Sequence, residues 1–129
     1  MTCSDILIAA TNLIAEETGE ELRNSEFAAR APYIIASFCG TASVADRHYR
    51  KAFSLGTQPD FNRVLIGLDD QFPLCDRFFP AAVAYLASML IATYNPDLSG
   101  VLRENARDSF AAAYGEIPWS THGIINKNR

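Results

Sequence analysis

Between Arg77 and Asp97 the chain runs through nineteen consecutive residues without a charge, FFPAAVAYLASMLIATYNP. A protein whose formal net charge is −4 hides such a segment only by wrapping its other helices around it, so this stretch is expected to be the central core helix. It is too short and too often interrupted for a membrane span. Pro80 breaks it, Tyr85, Ser88, Thr93, Tyr94 and Asn95 punctuate it, and the helix countable from Pro80 is about 14 residues where about 20 are needed to cross a bilayer. No membrane partner is expected.

Three amphipathic stripes supply the wrapping. The first helix is expected from about Cys3 to Thr18, capped by Thr2 or Ser4, with Asp5 in its first turn, where the helix dipole favours a negative charge, and Gly19 as its stop. Ile6, Ala9, Ala10, Leu13 and Ile14 recur at three- and four-residue spacing and predict its buried face. A second helix starts at Asn24 or Ser25, carries Phe27, Ala31, Ile34, Ile35 and Phe38 on one side, and is read as ending at Gly40. Pro32 lies inside it and should kink it or reset its start, since proline removes a hydrogen bond and crowds the preceding turn. After the uncharged run, Asn95-Pro96-Asp97 reads as cap, first helical position and first-turn acid of a last helix. That helix has Leu98, Val101, Leu102, Ala106, Phe110 and Ala113 on one face, and Gly115 at its end.

Between Gly40 and Leu68 the periodicity fails. Ala45–Phe53 could be a short helix and Arg63–Ile66 a short strand, with Thr57-Gln58-Pro59-Asp60 as a turn. A long segment with little regular structure is uncommon in a compact domain and is more often functional than filler. Asp69 or Asp70 is placed to cap the helix leading into the uncharged run. The fold expected is all-α: four to five helices around the uncharged one, forming a single domain over residues 1–115 with a loop at 40–68 and an extended tail at 116–129.

Composition excludes several function classes. At 129 residues, with 49% hydrophobic and 20% charged residues, the chain is one ordinary globular domain. A pI near 5.0 argues against a surface that clamps a phosphate backbone. The glutamates at 16, 17, 20 and 21, and Asp60, Asp69, Asp70 and Asp76, read as solvated helix ends and loops. Three cysteines, Cys3, Cys39 and Cys75, with no basic leader before them, suggest free thiols in a reducing compartment.

No constellation names a reaction. His48, with Asp46 nearby, could be oriented as a general base, yet an exposed histidine in a charged loop explains it more simply. Cys39 and Cys75 lack ligand spacing, and helix capping accounts for Asp69 and Asp70 better than a divalent ion does. Phosphate loops and the common hydrolase and metalloprotease motifs are absent. No catalytic residue, metal site or cofactor is therefore expected. The residues that invite contact are Arg47, Tyr49, Arg50, Phe53 and Phe61 in the loop, and Trp119, Ile124 and Ile125 in the tail, because aromatics with arginine carry interface energy.

The segment Ile66-Gly-Leu-Asp-Asp-Gln-Phe-Pro-Leu-Cys-Asp-Arg-Phe-Phe-Pro and onward to Asn95-Pro96, followed by the helix to Tyr114, resembles the small helical head-tail connector (adaptor) proteins of tailed bacteriophages and prophages. The matching pattern is an acidic lead-in, an alanine-rich helix broken by proline, an Asn-Pro turn and a final amphipathic helix. The resemblance implies a non-enzymatic virion assembly protein, a ring oligomer of itself below the portal. Its partners would be the portal and tail-completion proteins, with DNA passing through the channel without sequence-specific binding. It would act in the bacterial host cytoplasm during assembly and thereafter in the virion. The rival reading is a small acidic all-helical regulatory or partner-binding protein; a small hydrolase using His48 or Asp69/Asp70 is a distant third.

Overall fold

In the computed structural model residues 1–15 and 20–115 are described, the side chains of 20–24 excepted. The chain is all-α. Four α-helices occur among these residues: α1 (Cys3–Ile14), α2 (Glu20–Ala52), α3 (Phe79–Ile91) and α4 (Pro96–Gly115), with a 3₁₀ turn (Asp76–Phe78) leading into α3. None is long and apolar enough to cross a membrane.

The uncharged run forms α3, and it is the centre. Ala81, Ala82, Val83, Ala84, Leu86, Ala87, Ser88, Leu90 and Ile91 are all buried, because α4, α1 and α2 each pack against it, α4 most extensively. Alanines let those helices approach closely, while Leu86, Leu90 and Ile91, fully buried, fill the space between. The Asn95-Pro96 turn does what its residues dictate: the Asn95 side chain accepts from Leu98 N at 3.0 Å and its carbonyl accepts from Ser99 N at 3.0 Å. Ser99 Oγ then donates to the Ser88 carbonyl at 2.8 Å, a buried tie between α4 and α3. At the same end of α3, Arg30 of α2 donates to the Met89 carbonyl at 3.0 Å, and Tyr94 donates to Glu26 at 2.6 Å.

α1 begins as expected, with Thr2 and Asp5 forming a reciprocal capping box. Its buried stripe is Cys3, Ile6, Ala10 and Ile14, whereas Leu13 is 53% exposed; the core takes a face narrower than the sequence pattern offered. Val101 of α4 is likewise exposed, at 56%. Gly19 lies outside the described residues.

The largest correction concerns α2. It does not end at Gly40 but continues as one helix to Ala52, through both Pro32 and Gly40, so the irregular segment is 53–75 rather than 40–68. Gly40 costs an interior helix roughly 1 kcal/mol, which is far less than the burial of Phe38, Cys39, Ala42 and Ala45 around it returns. The true stop is at Ser54, which takes the left-handed conformation (φ 55°). Leu55 N donates to the Arg50 carbonyl at 2.9 Å and Ser54 N to the Lys51 carbonyl at 3.4 Å, the paired closure of a Schellman motif. Two further expectations fail. No strand occurs among the described residues, Arg63–Ile66 included; an isolated bridge pairs Thr2 with Gln71. Nor does Asp69 or Asp70 cap α3, whose start is preceded by Phe78 without a side-chain cap; Asp70 instead accepts from Gly67 N at 3.0 Å in its own turn.

Candidate interaction surface

Segment 53–75 has almost no regular structure, yet polar contacts hold it along its length. Their hub is Asp46, on α2 and wholly buried. One carboxylate oxygen accepts from Arg50 Nε and from Gln58 Nε2, each at 2.8 Å, and the other accepts from Cys75 N at 2.7 Å. Arg50 donates onward to the carbonyls of Thr57 at 3.4 Å and Pro73 at 3.1 Å, so one ion pair grips both limbs of the loop. A buried carboxylate is tolerable only when its lone pairs are filled in this way. Nearer the middle, Ile66 N donates to the Pro32 carbonyl at 3.1 Å, and Arg63 reaches the Gly40 carbonyl at 3.5 Å and Ser43 Oγ at 3.3 Å. The amino terminus closes the other side. Cys3 N donates to the Asp70 carbonyl, Ser4 N to the Leu68 carbonyl and Phe72 N to the Met1 carbonyl, all within 2.9 Å, so the loop satisfies helix-end donors of α1.

These contacts define a rigid tip. Asn62 Oδ1 accepts from Val64 N at 2.8 Å and from Leu65 N at 3.3 Å, and the Arg63 guanidinium lies 4.9 Å over the Phe61 ring. Val64 is left 68% and Leu65 39% exposed. Beneath the tip the loop arches over a cleft of about 380 Å³, lined by Phe61, Leu65 and Phe72 among others.

A second concavity lies on the other side of α2, a groove of about 340 Å³ between α2 and α4 with α3 as its floor. Phe38, Ala42, Tyr85, Ala106 and Phe110 line it, and Thr41, Arg103 and Arg107 are exposed at its edges.

Those residues singled out from sequence that are described fall into three groups. Arg50 is part of the internal ion pair, its side chain 15% exposed. Tyr49 and Phe61 are half-buried against the core, Tyr49 meeting Phe78 edge-on and Phe53 at 4.8 Å between ring centroids. Arg47 and Phe53 are exposed, Arg47 donating to Gln58 at 3.4 Å. Trp119, Ile124 and Ile125 lie outside the described residues. Asp46 is not held ready to orient His48: its oxygens are engaged by Arg50, Gln58 and Cys75 N, and two positions along a helix turn a side chain by about 200°. Cys3 and Cys39 are fully buried. Burial pushes the Cys3 thiol up to about 11 and raises Cys39 further; Cys75 is also raised, to about 11, by burial and then by the nearby Asp46 charge. Such thiols stay protonated and poorly nucleophilic. Among the described residues, no three His, Cys, Asp or Glu side chains gather to hold a metal.

Sequence reasoning missed Val64, Leu65 and the groove. The signal for the tip was present in Asn62, whose side chain commonly caps the two residues after it; the groove depends on helices distant in sequence. No family model, curated protein or solved structure matches the chain.

Proposed function

We propose that this protein is a head-tail connector (adaptor) subunit of a tailed phage or prophage, a non-enzymatic ring component that docks on the portal, prolongs the DNA channel and receives the tail. The observation supporting this reading is where the resembling segment lies: Ile66–Pro96 and the helix after it make up the α3–α4 hairpin and its lead-in, the packing centre of the domain. The likeness thus concerns the part that dictates the fold. Ring partners would be further copies of the chain, with portal and tail-completion proteins above and below. DNA would pass without sequence-specific contacts, in keeping with an acidic chain. The site of action would be the host cytoplasm during assembly and then the virion, with no catalytic centre and no cofactor.

The test is genetic and compositional. Portal, terminase, capsid protease and tail genes should flank the coding sequence, and deleting it should leave filled or emptied heads without tails. Tailed particles from the deletion strain would overturn the proposal and favour a small acidic partner-binding protein instead.

A further inference from the structure

The groove and the tip lie on opposite flanks of one helix. Pro32, Gly40 and Ser43 of α2 bind the loop, whereas Phe38, Thr41 and Ala42 line the groove. Gly40 is two positions from both Phe38 and Ala42, and Ser43 two from Thr41, a rotation of about 200° at 3.6 residues per turn. One copy therefore presents a projecting apolar tip on one side of α2 and an apolar recess on the other. The tip is held before any partner arrives, since Asn62 fixes its backbone and Arg63 ties it to α2; little conformational freedom is lost on docking. Charge also matches. Residues 53–75 contain Asp60, Asp69 and Asp70 against the single Arg63, which is exposed but hydrogen-bonded to α2, while Arg103 and Arg107 stand exposed on the groove's α4 edge, Arg107 also paired with Glu104.

We infer that Val64 and Leu65 of one copy insert into the α2–α4 groove of a second copy, with Asp60 facing Arg103 and Arg107. This contact is heterologous, tip to groove, and leaves a free groove on the first copy and a free tip on the second, so it propagates from copy to copy, and in a ring subunit its rotation closes. A two-fold dimer is a different geometry and is not what the two flanks offer. The inference rests on the ring-subunit reading and names the surface that makes the ring.

Cross-linking between two single-cysteine variants tests it. In the full chain carrying Cys75→Ser, where Cys3 and Cys39 stay buried, Val64→Cys and Thr41→Cys are prepared separately and treated with a short bismaleimide at high protein concentration. The mixture should yield a covalent dimer and neither variant alone should. Adding Leu65→Asp to the Val64→Cys chain, or Arg103→Glu with Arg107→Glu to the Thr41→Cys chain, should reduce the yield roughly tenfold while circular dichroism stays native. Restoring charge with Asp60→Arg against the double-glutamate groove should recover it. A dimer from Val64→Cys alone, or no dimer from the mixture of folded chains, overturns the inference. Failure here together with tailless heads in the deletion strain removes only this surface; tailed particles in that strain would remove the connector reading itself.

Discussion

The α3–α4 hairpin and the segment 53–75 adjoin one another in the chain and are held by opposite means. The hairpin is nearly dry. Leu86, Leu90, Ile91 and four alanines of α3 are buried, and its polar ties are few, Ser99 to Ser88 chief among them. The loop buries Ile66, Phe72 and Leu74, but its course is set by hydrogen bonds radiating from Asp46, Arg50, Arg63 and the first residues of α1. Apolar burial is forgiving of shape as long as volume is kept, whereas a buried charge network holds its geometry only when every member is paired. The comparison therefore predicts a core that yields gradually to substitution and a loop that fails when one residue is removed.

Asp46→Ala should be the most damaging single change, on the order of 3 to 5 kcal/mol, because it takes the counter-ion from part-buried Arg50 and the acceptor from Cys75 N, and leaves Gln58 only the Ser43 carbonyl. Urea unfolding would measure it, and hydrogen exchange should show the loss concentrated in 53–75. Asp46→Asn should also destabilise, since an amide NH₂ would face one of the donors. In the hairpin, Leu86→Ala should cost about 2 to 5 kcal/mol by leaving a cavity, whereas Leu86→Met should cost under about 1.5 kcal/mol. Equal tolerance at Asp46 and Leu86 would erase the contrast.

Alkaline titration separates the regions less sharply. Cys3 and Cys75 keep their protons until about pH 11 in the folded protein, against an ordinary value of 9.0. Stability should thus be fully present below about pH 9 and fall as the pH rises toward 11, where unfolded thiols ionise and folded ones do not. Cys3→Ala should flatten that decline, and thiol reagents should modify Cys75 before Cys3 or Cys39. The smallest effect is expected at the end of α2: Ser54→Gly should stabilise by roughly 0.5 to 1 kcal/mol, by relieving a left-handed conformation that serine adopts at a cost.

The same contrast explains what could be read from the sequence. The absence of charge over 78–96 and the Asn95-Pro96-Asp97 signature locate α3, the turn and α4 almost residue by residue, because burial and capping are local properties of side chains. The end of α2 was misplaced for a physical reason. Gly40 offered the usual stop residue, while the chain stops at Ser54, and only the packing of Phe38, Cys39, Ala42 and Ala45 decides between them. Asp46 was visible as a candidate orienter for His48, but its role depends on Gln58 and Cys75, distant in sequence and without periodicity. The loop's order was illegible since hydrogen bonds to backbone carbonyls leave no residue preference behind; the tip and groove were illegible because each is a property of the assembled domain.

The strap formed by the first four residues carries a consequence for the order of folding. Met1 donates its amino group to Gln71 across a separation of seventy positions, and Asp46 waits for a backbone N–H twenty-nine positions away. Contacts that remote reward the chain only after the intervening helices have met, whereas α3 and α4 are joined by a four-residue turn. The hairpin should form early and the strap and loop together, late. In native-state exchange, the amides of Cys3, Ser4, Ile66 and Phe72 should then open as a single unit at a lower free energy than those of Leu86 and Leu90, making the tip the last part of the chain to become ready.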